Sequence, residues 1–234
     1  MVGLGTSLLL AGAVGAGIKL HDFIEAETLV HDCIDEIRLA RASLAGLDRA
    51  WQDNPRRSDA IVSLTTIPSR LPLIGLTLKS LMRQRLAPAR IVLNLPRFSR
   101  RENVPYEVPS FLAGLASVHI RWCEDLGPAT KLLPSLADEA AGTRIIVVDD
   151  DRVYPANLVE DLVAASDRQP DVAFSMRGWV VPPDLTDRPT TVWRKLNHEP
   201  PAPIRARRIS APARVDIVMG VSGYLVRPSF FDLA

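Results

Sequence analysis

Cysteine is scarce in this chain, with Cys33 and Cys123 the only two in 234 residues. They sit far apart, show no metal-ligand spacing, and two thiols make no disulfide framework. Both read as buried structural thiols in a reducing compartment, which places the protein in the cytoplasm. Net charge is scarce too. Lys and Arg number 28 against 27 Asp and Glu, leaving +1. That balance calls for no polyanionic partner, and no nucleic acid is expected. Locally, Arg205, Arg207, Arg208 and Arg214 crowd the stretch APIRARRISAPARVD. It reads either as a solvated loop or as one that meets phosphates or a membrane surface.

Charge is missing altogether from residues 1–18, MVGLGTSLLLAGAVGAGI. About 18 uncharged residues is the lower edge of a membrane-span candidate. The segment lacks the basic n-region of a secretory signal. Small residues recur four apart in it, which suits close helix packing. Residues 1–20 are therefore a hydrophobic segment, either a membrane anchor or a buried or disordered N-terminus.

Proline is absent from residues 21–50, which hold one late glycine. Phe23, Val30, Ile37 and Leu44 repeat every seven residues, with Ala26, Cys33, Ala40 and Leu47 between them. This predicts an amphipathic helix over 21–50. It lies against the domain, or it forms a short coiled coil through which a homo-oligomer could assemble. WQDNPRRSD, residues 51–59, reads as a linker, because Asn54-Pro55 disfavours helix.

From residue 60 to 234 the pattern alternates. AIVSLTTIP, RIVLNLP, VHIRWCED, RIIVVDDD and DVAFSMRGW read as strands. LIGLTLKSLMRQR, GPATKLLPSLADEAA and PANLVEDLVAASDR read as helices, the last two beginning near Pro128 and Pro155. The alternation predicts an α/β domain with a mostly parallel sheet. Ligands of such sheets bind beyond the carboxyl ends of the strands.

Three aspartates, Asp149, Asp150 and Asp151, stand at one of those ends. Like charges in a row need an offset: a cation, hydrogen-bond donors or water. If the strand continues through them, Asp149 and Asp151 face one way and Asp150 the other. Two carboxylates on one face can share Mg2+ or Mn2+, with phosphate oxygens and water completing the shell. The same residues fit the nucleophile motif of a haloacid-dehalogenase-type phosphatase, with Ser175 closing a later strand. They also fit a solvated turn in which Asp151 caps the next helix.

IVSLTTIPSRLPLIGLTLKSLMRQRLAPARIVLNLP, EDLGPATKLLPSL, RIIVVDDDRVYP and VDIVMGVSGYLVRPSFFD occur in that order. Together they resemble glycosyltransferases of the A-type fold, distant relatives of family 2 glycosyltransferases. The resemblance covers residues 60 to 232. It implies a Rossmann-like nucleotide-diphospho-sugar transferase fold preceded by N-terminal helices. It implies a metal-dependent enzyme that moves a sugar from a nucleoside-diphosphate sugar to a saccharide or other acceptor.

By that resemblance Thr65, Pro68 and Arg70 hold the nucleobase and ribose. Gly127, Thr130 and Lys131 approach the diphosphate from a helix start. Asp149 and Asp150 approach the ribose and the metal, and Asp151, with Asp149, ligates it. Gly220, Gly223, Tyr224 and Trp179 line the acceptor side. The acidic segment that supplies the family's catalytic carboxylate is expected after the glycine-rich stretch and does not occur before Ala234. The expectation is a C-terminally incomplete transferase domain or a donor-binding relative without catalysis, and no catalytic residue is assigned.

Overall fold

The computed structural model describes residues 2–25 and 28–232. In chain order the first elements are α1 (Val2–Glu25), α2 (Leu29–Arg41), α3 (Leu44–Gln52), β1 (Ile61–Thr65), α4 (Gly75–Met82) and β2 (Arg90–Pro96). Then come β3 (Phe98–Ser99), β4 (Val104–Pro105), β5 (Val118–Cys123), α5 (Leu133–Asp138), β6 (Ile145–Val147) and α6 (Leu158–Arg168). The last are β7 (Phe174–Ser175), β8 (Arg177–Trp179), α7 (Val192–Asn197), β9 (Ile204–Arg205), β10 (Ile217–Val218) and β11 (Tyr224–Val226). Two compact units result: Met1–Ile37 with Gly178–Ile217, and Arg38–Arg177 with Val218–Ala234.

The single helix expected over residues 21–50 is divided among three. Ser43 is extended (φ −72°, ψ 128°), and its hydroxyl accepts the Gly46 N–H, so a new helix starts at Leu44. Of the heptad positions, Leu44 and Leu47 pack on the core of the second unit, whereas Phe23, Val30 and Ile37 are exposed. Ala26 lies outside the described residues. Cys33 is exposed rather than buried, and Cys123 is half-buried with its thiol pushed up to about 11 by burial.

In the first unit the arginine-rich stretch is solvated over residues 210–214, whereas Arg205, Arg207 and Arg208 have partners. Lys195 and Arg205 both pair with Glu25, whose carboxyl the Lys195 hydrogen bond holds below the usual range. Arg207 donates to the Thr28 hydroxyl at 2.9 Å, and the Arg208 guanidinium lies 5.4 Å from the Phe23 ring centre. Among the described residues, no helix is long and apolar enough to cross a membrane.

The second unit is built on a six-stranded sheet of order β5-β2-β1-β6-β11-β7. β5, β2, β1 and β6 run parallel, while β11 is antiparallel to both its neighbours. This is the mostly parallel α/β arrangement that alternating strands and helices predict. Alternation along β1 sorts the core by face. Val62 and Leu64 join Ile91, Leu93, Ile146 and Val148 on one side, under Leu78 and Leu81 of α4 and Leu158 and Leu162 of α6. Ile61 joins Val92, Ile145 and Val147 on the other, with Leu136 of α5.

Ser63 and Asn94 lie fully buried on the α5 side, where apolar residues would be expected. Ser63 Oγ donates to the Lys131 carbonyl oxygen at 2.7 Å and lies 2.7 Å from Ser135 Oγ. Asn94 Nδ2 donates to Ser63 Oγ at 2.9 Å. Arg121 donates to Ser135 Oγ and, with Arg90, to Glu139. Burial pushes the Glu139 carboxyl up, but the two guanidiniums outweigh it and hold the group below its ordinary value.

Two expected elements are interrupted, each for a visible reason. Residues 127–131 form a 3-10 turn, and α5 starts only at Leu133. Gly127 has φ +61°, and Pro134 brings no N–H with which to continue a helix from Thr130. DVAFSMRGW is split at Met176, because β7 pairs with β11 in the six-stranded sheet whereas β8 joins the separate sheet β10-β8-β9.

Candidate functional site

In the parallel part of the sheet, β2 lies on one side of β1 and β6 on the other. The crossovers from β1 to β2 and from β5 to β6 therefore diverge, opening a crevice beyond the carboxyl ends of β1 and β6, where ligands of such sheets bind. Thr65 and Thr66 stand at one lip and the aspartate triplet at the other. A cleft of about 170 Å³ occupies this position, lined by Thr65, Thr66, Arg70, Lys131, Asp149 and Asp150. Tyr106, Arg101, Asp125 and Gly127 also line it.

The triplet does not continue the strand. β6 ends at Val147, and Val148 N–H still reaches the Ser63 carbonyl oxygen at 3.1 Å. The Asp149 N–H is then diverted to the Tyr154 hydroxyl oxygen at 2.7 Å, which stops the ladder. The expected alternation of the three side chains fails with it. Asp149 Oδ1 meets Lys131 Nζ at 2.6 Å. Asp150 and Asp151 instead converge on one guanidinium, each 3.1 Å from the same terminal nitrogen of Arg70. Thr66 Oγ1 donates to Asp150 Oδ2 at 2.5 Å, across the crevice.

Tyr154 explains the tyrosine of VDDDxxYP. It is 2% exposed and folds back beneath the triplet, and its own N–H is held by Ser80 Oγ at 3.1 Å. Burial, then the charge of Asp149, raise its phenol well above the usual range, so it stays a neutral hydrogen-bonding group. Thr77 Oγ1 donates to the Asp150 carbonyl oxygen at 2.7 Å. The triplet backbone is thus pinned from α4 and from the Tyr154 ring, while Asp149 and Asp150 line the cleft and Asp151 stands outside its lining, on Arg70.

The other residues singled out in the sequence take varied places. Thr65 Oγ1 donates to the Asn94 carbonyl oxygen at 2.8 Å, tying β1 to β2. Pro68 is not among the cleft-lining residues. Thr130 is buried, and its hydroxyl accepts the Leu126 N–H at 2.9 Å, closing the turn that carries Lys131. Gly127 donates its N–H to Asp125 Oδ1 at 2.8 Å.

Antiparallel β11 starts where β6 ends, with Tyr224 opposite Val147. Gly220 and Gly223 therefore stand at the same edge of the sheet as the triplet. Gly223 has φ +89°, and a Cβ there would sit 3.1 Å from Leu158 Cδ1. Burial, with the charge of Asp149, pushes the Tyr224 phenol up to about 12. Trp179 belongs to the first unit and is not among the cleft-lining residues.

Sequence reasoning missed Thr66, Tyr106, Arg101 and Asp125. Thr66 had a signal, as the second threonine of TTIPSR, but Tyr106 lies in a stretch with no periodicity. Its hydroxyl donates to the Thr66 carbonyl oxygen at 2.9 Å, and burial pushes it up to about 12.

Among the described residues, no group of three or more His, Cys, Asp or Glu is placed to hold a metal ion by itself. The donors present are carboxylate oxygens, the class that Mg2+ and Mn2+ take, and those ions commonly bind through one or two carboxylates plus substrate phosphates. The donor chemistry fits an ion that arrives with a diphosphate, and not a self-sufficient protein cage. The phosphatase arrangement fits less well. Ser175 is on β7, separated from β6 by antiparallel β11, and its hydroxyl donates to the Arg177 carbonyl oxygen at 2.6 Å.

No family model matches the chain, and no curated protein matches it. Among solved structures, one similar to it is the crystal structure of 4-diphosphocytidyl-2C-methyl-D-erythritol synthase. The two share 11% identity at a TM-score of 0.45, over 73% of this chain and 74% of that one.

Proposed function

We propose that the cleft beyond β1 and β6 binds a nucleoside-diphosphate sugar and that the protein transfers the sugar to a saccharide acceptor. The observation that carries this reading is the meeting of two cations, Lys131 and Arg70, with three aspartates at the divergence of the parallel strands. A diphosphate needs positive charge, which Lys131 and Arg70 hold ready at fixed positions. A ribose needs hydrogen-bond acceptors, which Asp149 and Asp150 provide. Thr65 to Ile67 and Tyr106 offer the nucleobase a partly apolar wall.

In this reading the aspartates exchange partners when the donor arrives. Lys131 and Arg70 turn toward the phosphate oxygens, and the freed carboxylates take the ribose hydroxyls and a divalent ion. Mg2+ or Mn2+ held by Asp151 together with Asp150, the two carboxylates that converge on one Arg70 nitrogen, would supply Lewis-acid neutralisation of the departing diphosphate. Arg70 and Lys131 supply part of the same neutralisation from the protein. Tyr224 and Gly223, at the start of β11, face the sugar end.

The test is calorimetric titration of the whole chain with UDP and GDP, with Mg2+ or Mn2+ present. Binding that depends on the ion and is lost in Asp151→Ala supports the reading, and absence of binding with either ion overturns it. Transfer is read separately, as release of nucleoside diphosphate from a nucleotide sugar in the presence of saccharide acceptors. Turnover of an aryl phosphate would point to the phosphatase chemistry instead.

A further inference from the structure

Lys131 is held at more points than a diphosphate-pairing lysine requires. Its ammonium is fixed by Asp149 at 2.6 Å. Its carbonyl oxygen accepts the Ser63 hydroxyl at 2.7 Å, from the middle of β1. Ser63 is fully buried and is itself oriented, receiving Asn94 Nδ2 and lying against Ser135 Oγ. With its one proton committed to Lys131, it accepts from both neighbours.

The third constraint is a space. A Cβ built on Gly220 would lie 3.0 Å from Lys131 Nζ and 3.9 Å from its Cε. Gly220 is not among the glycines with positive φ, so its backbone does not itself demand glycine. A methyl group there would press on the lysine ammonium and shift it by a few tenths of an ångström. The resemblance assigns Gly220 to the acceptor side, whereas the contact ties it to the donor side.

We propose that Gly220 and Ser63 are positioning residues for the Lys131 ammonium, one by leaving room for it and one by anchoring its backbone, and so set the affinity for the diphosphate. This rests on the cleft being a nucleoside-diphosphate site. It differs from a general stability role in a readable way. A residue that acts through Lys131 affects ligands that carry phosphates and spares those that do not.

The experiment compares UDP and GDP with uridine and guanosine, by calorimetry on the whole chain with Mn2+. Lys131→Ala is expected to weaken the diphosphates about tenfold or more, the loss typical of a hydrogen bond to a charged group. Gly220→Ala should weaken them by a smaller factor, leave nucleoside affinity unchanged, and add nothing on a Lys131→Ala background. Ser63→Thr, which keeps the hydroxyl, should retain affinity that Ser63→Ala loses. Equal weakening of nucleosides and diphosphates by Gly220→Ala, or a full additional loss on the Lys131→Ala background, would overturn the proposal. A ligand-free check uses urea unfolding of Gly220→Ala, Lys131→Ala and the double variant. Non-additive stabilities support the contact and additive ones overturn it. Failure of the wild-type chain to bind any diphosphate would instead sink the reading of the cleft.

Discussion

Two groups of carboxylates in the second unit meet their charge problem differently. Asp48 and Glu139 lie away from the cleft. Asp48 is 4% exposed and accepts the Ala116 and Ser117 N–H groups, the Ser117 hydroxyl and the Gln52 amide. Burial pushes its carboxyl up, but those donors outweigh burial and hold it low. Glu139, whose side chain is 9% exposed, is held instead by two guanidiniums of the sheet, Arg90 and Arg121, away from any cleft. Asp149, Asp150 and Asp151 rely mainly on Lys131, Arg70 and Thr66. Their side chains are 27%, 12% and 52% exposed, along an open cleft. Backbone donors cannot leave a buried carboxylate without unfolding, whereas a lysine or arginine at a cleft can turn to another anion. The first arrangement gives stability, and the second gives a site whose partners can be exchanged.

The largest effect that would break this contrast is on Asp48. Asp48→Ala strands the buried N–H and hydroxyl of Ser117, and we expect a loss of about 2–4 kcal/mol in urea unfolding. Nucleoside-diphosphate affinity of the folded fraction should not change. A loss under about 1 kcal/mol would remove the distinction between the two groups.

Glu139→Gln tests the same idea through pH. Because the folded carboxyl titrates below its ordinary value of 4.5, its contribution is fully present above that value. The contribution is lost as pH falls through the folded value. The wild type should therefore exceed Glu139→Gln by about 1–3 kcal/mol at neutral pH. The two unfolding free energies should converge in acid, and a gap that stays constant down to pH about 3 contradicts the assignment.

For the cleft the direction reverses. Asp151→Ala removes a half-exposed partner of Arg70. Stability should change by less than about 1 kcal/mol, while affinity for UDP or GDP with Mn2+ falls about tenfold or more. Thermal or urea unfolding beside calorimetry separates the two readouts.

Much of the sheet was legible in the primary structure because burial on both faces writes itself as apolar runs. RIVLNLP became β2 with the expected bounds, and RIIVV became β6 and its one-residue extension. Ser63 and Asn94 interrupt such runs, and only the packed α5 shows why, since their partners Ser135 and Arg121 are distant in the chain. The side-chain directions of the triplet were not legible either. Period-two reasoning holds while a ladder lasts, and this one ends when Tyr154, five residues on, takes the Asp149 N–H. The heptad pattern of residues 21–50 reads as one helix and conceals the break at Ser43, which depends on a single cap.

Local physics settled what the sequence could settle alone. Alternating apolar runs and helical spacing specify strands and helices, and three aspartates after such a run mark a strand end that needs an offset. What the offset consists of was decided by tertiary structure. Lys131 arrives from the turn after β5 and Arg70 from the segment after β1, and strand order β5-β2-β1-β6 alone brings both to Asp149–Asp151. Sequence separation carries no information about which charges will meet. The order of strands in a sheet does, because it fixes which loops share an edge.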